Sequence, residues 1–208
     1  MNSSLLGQGL AALGLDSPDL IDGLAAHAKA IEARNEALGL VSLQQPDDLV
    51  VKHLLDSLAP WKTLAELGFA SFADIGSGAG FPGIPLALAF PKVRATLVER
   101  MERRALFLES TLAELGRRDV EVFQRTFEEI KDRFDLVIFR AVTALEPKTI
   151  KKLLRLLTPD GHLAAYKGRR EVIDSELASL GSLAGNACVV PVQVPFLAEE
   201  RHLVILSP

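Results

Sequence analysis

The sequence of 208 residues contains little of what usually marks a disulfide protein, a metal protein or a nucleic-acid platform. Cys188 is the only cysteine, which excludes an intrachain disulfide and a zinc site built from cysteines. Aromatic residues make up 6%, too few to favour a stacking platform for single-stranded nucleic acid. Basic residues number 23 against 27 acidic ones, and the formal net charge of −4 gives no bulk attraction for nucleic acid.

Signals for export or membrane insertion are also missing from the sequence. The first Lys or Arg is Lys29, so the start lacks the basic region of a secretory signal. No apolar run reaches 18 residues, and the uncharged stretch 75–91 is broken by four glycines and three prolines. Hydrophobic residues nevertheless make up 49% of the chain, enough for a buried core. We therefore expect a cytoplasmic protein of one ordinary domain with a short extension.

The amino-terminal part, 1–65, is predicted to form a small helical extension. Leu20, Leu24 and Ala28 recur at helical spacing after Ser17-Pro18, a pairing typical of a helix start. A second helix is predicted near 46–58 because apolar residues there again fall on one face.

From 66 to 208 the pattern alternates between short β-rich runs and helical runs. Strands are predicted at 72–75, 95–99, 120–123, 134–139, 162–166, 187–194 and 202–206, and helices at 84–90, 102–115, 147–157 and 171–183. This order predicts an α/β fold with a doubly wound, mainly parallel, seven-stranded Rossmann-like sheet. The last two strands are too close for a helix between them, so they form a terminal antiparallel hairpin. That combination is typical of methyltransferases that use S-adenosylmethionine, and we assign 66–208 as the methyltransferase domain.

A glycine-rich loop follows the first strand, where open α/β sheets bind ligands. Residues 74–83 read Asp-Ile-Gly-Ser-Gly-Ala-Gly-Phe-Pro-Gly, and Gly76, Gly78 and Gly80 allow the backbone to approach a ligand closely. The pattern from Gly78 onward, with Glu99 some 21 residues later, also fits a dinucleotide site. Asp74 favours S-adenosylmethionine, because an anion attracts its ammonium and sulfonium but repels a pyrophosphate.

Three further positions complete the predicted cofactor site. Glu99 ends the second strand, so its carboxylate can accept hydrogen bonds from the vicinal hydroxyls of a ribose. Phe127 and Glu128 follow the third strand and would border an adenine, with Phe127 supplying an apolar face.

The absence of certain catalytic residues restricts the chemical class of the methyl acceptor. Cys188 lies in a mixed run and is predicted to be a core residue, so a cysteine nucleophile is not expected. Residues 138–141 read Ile-Phe-Arg-Ala, where amine methyltransferases carry an Asn/Asp-Pro-Pro-aromatic motif. Methylation of guanine N(7) needs neither a cysteine nucleophile nor that motif, because N(7) has an in-plane lone pair and no proton. Arg140 is predicted to orient donor and base, with Lys167 and Arg201 supplying phosphate contacts.

Six stretches together resemble one family. They are residues 74–85, the run Val-Lys-His-Leu-Leu-Asp-Ser-Leu at 51–58, Arg103-Arg104 with Phe107-Leu108, residues 134–141, Tyr166-Lys167-Gly168 and Glu200-Arg201-His202-Leu203. With these motifs the chain resembles, from about residue 35 to 206, the RsmG (GidB) family of bacterial 16S ribosomal RNA guanine-N(7)-methyltransferases.

The resemblance implies S-adenosylmethionine as cofactor and 16S ribosomal RNA in the small subunit as partner. We further expect no metal, no membrane partner and a monomer. Its cofactor positions fall on Gly76, Phe81, Phe127, Glu128 and Arg140, and Glu99 matches its acidic residue after the second strand. The family usually has Ser before the arginine, where this chain has Phe139.

Three alternatives stay open at the level of sequence. The acidic charge favours a small-molecule methyltransferase, and the loop spacing allows an NAD-binding oxidoreductase. Phe139, at a position where the family has Ser, also allows a binding module that has lost its activity.

Overall fold

The computed structural model describes residues 1–140 and 144–208. The described strands form a seven-stranded sheet in the order β3-β2-β1-β4-β5-β7-β6. Their bounds are β1 Ser71–Ile75, β2 Arg94–Val98, β3 Glu121–Phe123, β4 Phe134–Arg140, β5 Leu157–Lys167, β6 Cys188–Val192 and β7 Arg201–Leu206. The first five strands pair in parallel, whereas β7 runs antiparallel to both β5 and β6. The predicted fold class is confirmed, including the terminal hairpin.

The helices have the bounds α1 Ser3–Leu13, α2 Pro18–Leu38, α3 Asp56–Leu58, α4 Trp61–Glu66, α5 Gly83–Ala89, α6 Glu102–Glu114, α7 Pro147–Leu154 and α8 Arg170–Leu180. A π-helical segment, Leu49–Leu55, leads directly into α3. Helix α2 starts as predicted, since the Ser17 hydroxyl accepts a hydrogen bond from the Leu20 amide and Pro18 follows it.

Two hydrophobic cores lie on opposite faces of the sheet. Successive strand residues point to opposite faces, so Leu136 and Ile138 of β4 join one core while Val137 and Phe139 join the other. The first core also contains buried residues of the amino-terminal helices, such as Leu24. Because those helices share a core with the sheet, the division between 1–65 and 66–208 stays a prediction.

Two details differ from the sequence-based expectations. Strand β5 begins at Leu157, five residues before the predicted start at 162, and its register against β4 shifts between Phe134 and Leu136. Cys188 is exposed, so the prediction of a core cysteine was wrong; it opens β6, one of the two edge strands of the described sheet. Across residues 1–140 and 144–208, none of the helices combines the length and apolarity that a membrane crossing requires.

Candidate active site

A cavity of about 700 Å³ opens beyond the carboxyl ends of β1, β2 and β4. It brings together seven of the predicted site residues, namely Gly76, Gly78, Phe81, Glu99, Phe127, Glu128 and Arg140. Residues of the amino-terminal part, among them Val41 and His53, close its other side. We call this space the donor cavity.

The glycine loop forms one wall of the donor cavity because its backbone turns through the left-handed region. Gly76 has φ 73° and Gly78 has φ 57°, conformations that residues with a side chain rarely adopt. The amides of Gly76 and Ser77 both donate to the carbonyl oxygen of Val98, which ties the loop to β2. In the described structure a Cβ added at Gly78 would meet no atom closer than 3.8 Å. The backbone conformation, and not a shortage of space, therefore calls for glycine at position 78.

Glu99 lies directly after β2 and is almost fully buried, with 5% of its surface exposed. Its Oε2 accepts from the Gly78 amide at 3.0 Å and its Oε1 from the Met101 amide at 2.8 Å. A carboxylate has about four lone-pair positions, so each oxygen keeps capacity for one more donor. This arrangement fits the predicted contact with vicinal ribose hydroxyls.

Asp74 does not occupy the position that the sequence suggested. Its side chain is fully buried, and the residues known to line the donor cavity do not include it. Oδ2 accepts from the Gly83 amide at 3.0 Å, and no described group hydrogen-bonds Oδ1. Burial raises the pKa of the Asp74 carboxyl to about 7. The expectation that this carboxylate faces a cationic ligand is corrected: it lies beneath the loop and fixes its far end.

Gly80 likewise lies outside the described lining of the donor cavity, although it was predicted to bind cofactor. A Cβ there would lie 2.5 Å from Ile84 Cδ1 and 3.2 Å from His27 Nε2, and φ is 90°. Gly80 therefore permits the close packing of the loop on α2 and α5, and its contact with a cofactor stays a prediction.

The substitution Asp74→Asn distinguishes two roles of the Asp74 carboxyl group: contact with a cationic ligand, and support of the glycine loop from beneath. If Asp74 acts beneath the loop, an Asn side-chain oxygen can still accept from the Gly83 amide. We expect Asp74→Asn to change the Kd for S-adenosylmethionine by no more than about threefold, and Asp74→Ala to weaken binding further because that amide loses its acceptor. Calorimetry at pH 7.5 measures both values. A loss of more than about tenfold in Asp74→Asn would restore the direct electrostatic role.

His27 supports the loop from below and was not singled out by sequence reasoning. Its ring is fully buried, with Nε2 at 2.8 Å from the Ala79 carbonyl oxygen and its centroid 4.9 Å from that of Phe81. Burial lowers the pKa of His27 to about 4, against the effect of the hydrogen bond to Ala79. A neutral ring that donates from Nε2 accounts for this geometry.

The buried His27 predicts a specific pH dependence of stability. Between pH 6.5 and 4, His27 takes up a proton in the unfolded chain but not in the folded chain. The stabilising effect of the buried neutral His27 ring is therefore fully present above pH 6.5 and is lost as the pH falls toward 4. We expect the difference in free energy of unfolding between the wild type and His27→Gln to shrink by up to about 1.4 kcal/mol per pH unit in this window. Urea unfolding from pH 7.5 to 4.5 measures it, with His27→Leu as a second non-titrating control. A difference that stays constant with pH would contradict the buried neutral ring.

A second cavity of about 410 Å³ adjoins the first, and His53 and Arg140 line both. We call it the basic cavity, because its lining contains four cationic side chains: Lys52, Arg140, Lys167 and Arg201. Three of these, Arg140, Lys167 and Arg201, are the predicted catalytic residues, which the fold thus brings together from the ends of β4 and β5 and the start of β7. The only carboxylate in the described lining is Asp56.

Arg140 is held from several sides where the two cavities meet. Its Nη1 donates to the Lys52 carbonyl oxygen at 3.3 Å and to Asp56 Oδ2 at 3.0 Å, and its Nη2 lies 3.2 Å from His53 Nδ1. The guanidinium carbon lies 5.3 Å from the centre of the Phe81 ring. Arg140 therefore lies at the junction between the two cavities, and its role in orienting donor and base stays a prediction.

His53 is the acceptor in its contact with Arg140, because a guanidinium has only donors. Burial, followed by the nearby charge of Arg140, lowers the pKa of His53 to about 4. The ring is therefore neutral at physiological pH. His53 and Asp56 lie in the 51–58 stretch that carried the family resemblance, but sequence alone did not show that they contact Arg140.

The other predicted charged residues are paired. Lys167 Nζ lies 2.8 Å from Glu176 Oε2, and Glu128 Oε1 accepts from Lys152 Nζ at 3.1 Å. Glu128 therefore lines the donor cavity while paired to a lysine of α7. Phe139 is 1% exposed and belongs to the same core as Val137, and the described linings of the two cavities do not include it.

The residues of the donor cavity fit S-adenosylmethionine. The glycine loop lets the ligand approach the backbone, Glu99 keeps acceptor capacity for hydroxyls, Phe127 adds an apolar surface, and Arg140 suits a carboxylate. In the part of the chain that the structure describes, no three His, Cys, Asp or Glu side chains are grouped as a metal site would require.

Fold and site together define a Rossmann-like methyltransferase. In fold the chain is similar to an O-methyltransferase from Bacillus cereus, solved in complex with SAH, with a TM-score of 0.62 and 17% identity over 88% of this chain and 91% of that one. The chain belongs to the GidB family, rRNA small subunit methyltransferase G, whose profile matches residues 21–204.

Curated relatives with the same family name are similar in sequence over nearly the whole chain. A ribosomal RNA small subunit methyltransferase G of Treponema pallidum is 36% identical over 98% of this chain and 93% of its own length. A protein of the same name from Aromatoleum aromaticum is 38% identical over 100% of this chain and 99% of its own. The resemblance inferred from the motifs is thereby confirmed, and of the alternatives the family favours a methyltransferase over an oxidoreductase.

Proposed function

We propose that the protein transfers a methyl group from S-adenosylmethionine to N(7) of a guanine in the 16S ribosomal RNA of the small ribosomal subunit. The observation that carries this proposal is the pair of adjoining cavities with Arg140 and His53 in the wall between them. One cavity has the groups that suit the methyl donor, and the other has the cations that suit a polyanionic acceptor.

In the donor cavity, the glycine loop, Glu99 and Phe127 would hold the adenosine part, while Arg140 would orient the carboxylate end toward the basic cavity. When bound, S-adenosylmethionine supplies an electrophilic methyl group. The chain's own contribution is then to fix the donor in one position and to shield it from water.

The acceptor N(7) agrees with the chemistry of the described side chains at the junction. His53 Nδ1 is engaged by Arg140, and both Asp56 oxygens are engaged by arginines, which leaves neither group available as a general base. Guanine N(7) carries a lone pair and no proton, so it needs alignment and no base. Arg140 and Arg201 would provide that alignment through the phosphate or the O6 edge of the guanine.

The basic cavity supports an RNA substrate in spite of the net charge of −4. Its two arginines share the single carboxylate of Asp56, and its two lysines are paired with Asp48 and Glu176. Its cations are local, and the exposed Lys148 and Lys151 of α7 add further positive charge to the surface. Local charge of this size gives weak binding to free RNA, so we expect the assembled subunit to be a better substrate than naked 16S RNA. A cytoplasmic location and a monomeric state are parts of the same proposal.

Methyl transfer to subunits tests the proposal. The purified protein is incubated with S-[methyl-³H]adenosylmethionine and small subunits from a strain that lacks the modification, and the RNA is digested to nucleosides. N(7)-methylguanosine is the expected product. Label in a different nucleoside, or label only in a parallel arm with metabolite extract, would overturn the assignment. Binding of the donor without turnover on any subunit preparation would indicate a module that has lost its activity.

A further inference from the structure

One buried carboxylate connects the two arginines of the basic cavity. Asp56 opens α3, and its side chain is 7% exposed. Oδ2 accepts from Arg140 Nη1 at 3.0 Å, and Oδ1 accepts from Arg201 Nε at 3.1 Å. A residue of the helical amino-terminal part thus joins the last residue of β4 to the first residue of β7.

The two arginines depend on Asp56 to different degrees. Arg140 is also held by His53, by the Lys52 carbonyl oxygen and by the face of Phe81. Arg201 has fewer supports: besides Asp56 it donates from Nη1 to the carbonyl oxygen of its neighbour Glu200, and Asp56 is its only ion-pair partner among the residues described. Loss of the carboxylate would therefore free Arg201 more than Arg140.

Fold stability alone does not explain this arrangement. Burial raises the pKa of the Asp56 carboxyl, while the charges of Arg140 and Arg201 oppose the rise. A buried ion-pair triad can often be replaced by apolar side chains without loss of stability, because taking its charges out of water costs as much as their attraction returns. Here both guanidiniums border the basic cavity, which adjoins the donor cavity.

We propose that Asp56 is a positioning residue for methyl transfer: it fixes the separation and orientation of Arg140 and Arg201 so that the acceptor nucleotide is held against the donor. The inference rests on the proposed function and deepens it, because it makes the amino-terminal helices part of the acceptor site. Asp56 touches neither the donor nor the reacting nitrogen in this scheme and acts only through the two arginines.

The test uses the full chain with Asp56→Asn, which keeps the size of the side chain but loses the charge, and Asp56→Glu, which keeps the charge. We expect Asp56→Asn to lower kcat on small subunits by at least about 30-fold while the Kd for S-adenosylhomocysteine stays within about threefold of the wild type. The kcat of Asp56→Glu should be at least about tenfold higher than that of Asp56→Asn, because a carboxylate can still reach both arginines.

Asp135→Asn is the matched control. Asp135 lies on β4 like Arg140 but near the opposite end, and its carboxylate accepts from the Ala70 amide, the Ser71 amide and the Thr158 hydroxyl. This substitution should lower the unfolding temperature without a selective fall in kcat. If Asp56→Asn loses no more kcat than Asp135→Asn, or if its kcat and donor affinity fall in parallel, Asp56 is merely structural and the inference is overturned.

A spectroscopic readout separates this inference from the proposed function. The ¹H–¹⁵N signals of the Arg140 and Arg201 side chains, assigned with single Arg→Lys variants, report directly on the two ion pairs. Asp56→Asn should broaden or shift the Arg201 signal more than the Arg140 signal. Unchanged signals would overturn the inference even if the wild type methylates subunits. An inactive wild type would refute the proposed function, and the signals would then still decide the role of Asp56.

Discussion

Arg140→Ala is expected to lower kcat/KM for methylation of the small subunit by at least about 1,000-fold while the protein stays folded. The guanidinium is the group that both cavities share, and it is fixed by Asp56, His53 and Phe81. Alanine removes the charge and every one of these contacts, so donor and acceptor lose their common point of orientation. Incorporation of labelled methyl groups into subunits measures the effect, and urea unfolding measures the state of the fold.

Two companion variants make the Arg140 result interpretable. Arg155→Ala removes an exposed arginine just after α7 and should leave methylation within about twofold of the wild type. Arg140→Lys keeps a charge but loses the forked geometry, so it should recover only a small part of the activity. Full activity in Arg140→Ala would remove this residue from the mechanism.

Gly83→Ala is expected to destabilise the protein by about 1–3 kcal/mol, although alanine is otherwise the better helix former. Gly83 is the first residue of α5, and a Cβ there would lie 2.3 Å from Leu97 Cδ2 and 2.6 Å from Asp74 Oδ2. Leu97 is fully buried in β2, and Asp74 is fixed beneath the loop. Displacement of Asp74 would disturb its hydrogen bond with the Gly83 amide beneath the glycine loop, so affinity for S-adenosylhomocysteine should fall together with stability.

Gly7→Ala provides the matched control for Gly83→Ala. Gly7 lies within α1, and in the described structure a Cβ there would meet no atom within 4 Å. We expect this substitution to raise the free energy of unfolding by about 0.5–1 kcal/mol, because alanine loses less conformational freedom in a helix. Urea unfolding measures both variants. Equal effects of the two substitutions would mean that the close approach at Gly83 does not constrain the loop.

Much of the fold was predictable because hydrophobic periodicity and turn residues are local properties of the chain. The alternation of strands and helices after residue 66 predicted the parallel sheet, and two strands without a helix between them predicted the hairpin. Cys188 was misjudged for a related reason: an apolar run does not show that its strand lies at the edge of the sheet. Strand order depends on which elements cover which face, and that is a property of the assembled fold.

In the candidate site, too, some positions could be predicted from the sequence and others could not. The position of Glu99 in the wall of the donor cavity was predictable, since open α/β sheets bind ligands beyond the carboxyl ends of their strands. Asp74 was not, because its direction depends on the Gly83 amide, which reaches it only after the loop has turned. Sequence spacing could not show whether the Asp74 carboxylate points into the cavity or beneath it.

By itself, the sequence determined the sheet, the glycine loop and the family to which the chain belongs, because these follow from residue order over short distances. Only the tertiary structure decided that Asp56, some 84 positions before Arg140 and 145 before Arg201, lies between their guanidinium groups. The physical reason is that burial, and not spacing along the chain, selects the partner of a charged side chain: once the amino-terminal helices cover the sheet, the carboxylate and the two arginines can leave water only together.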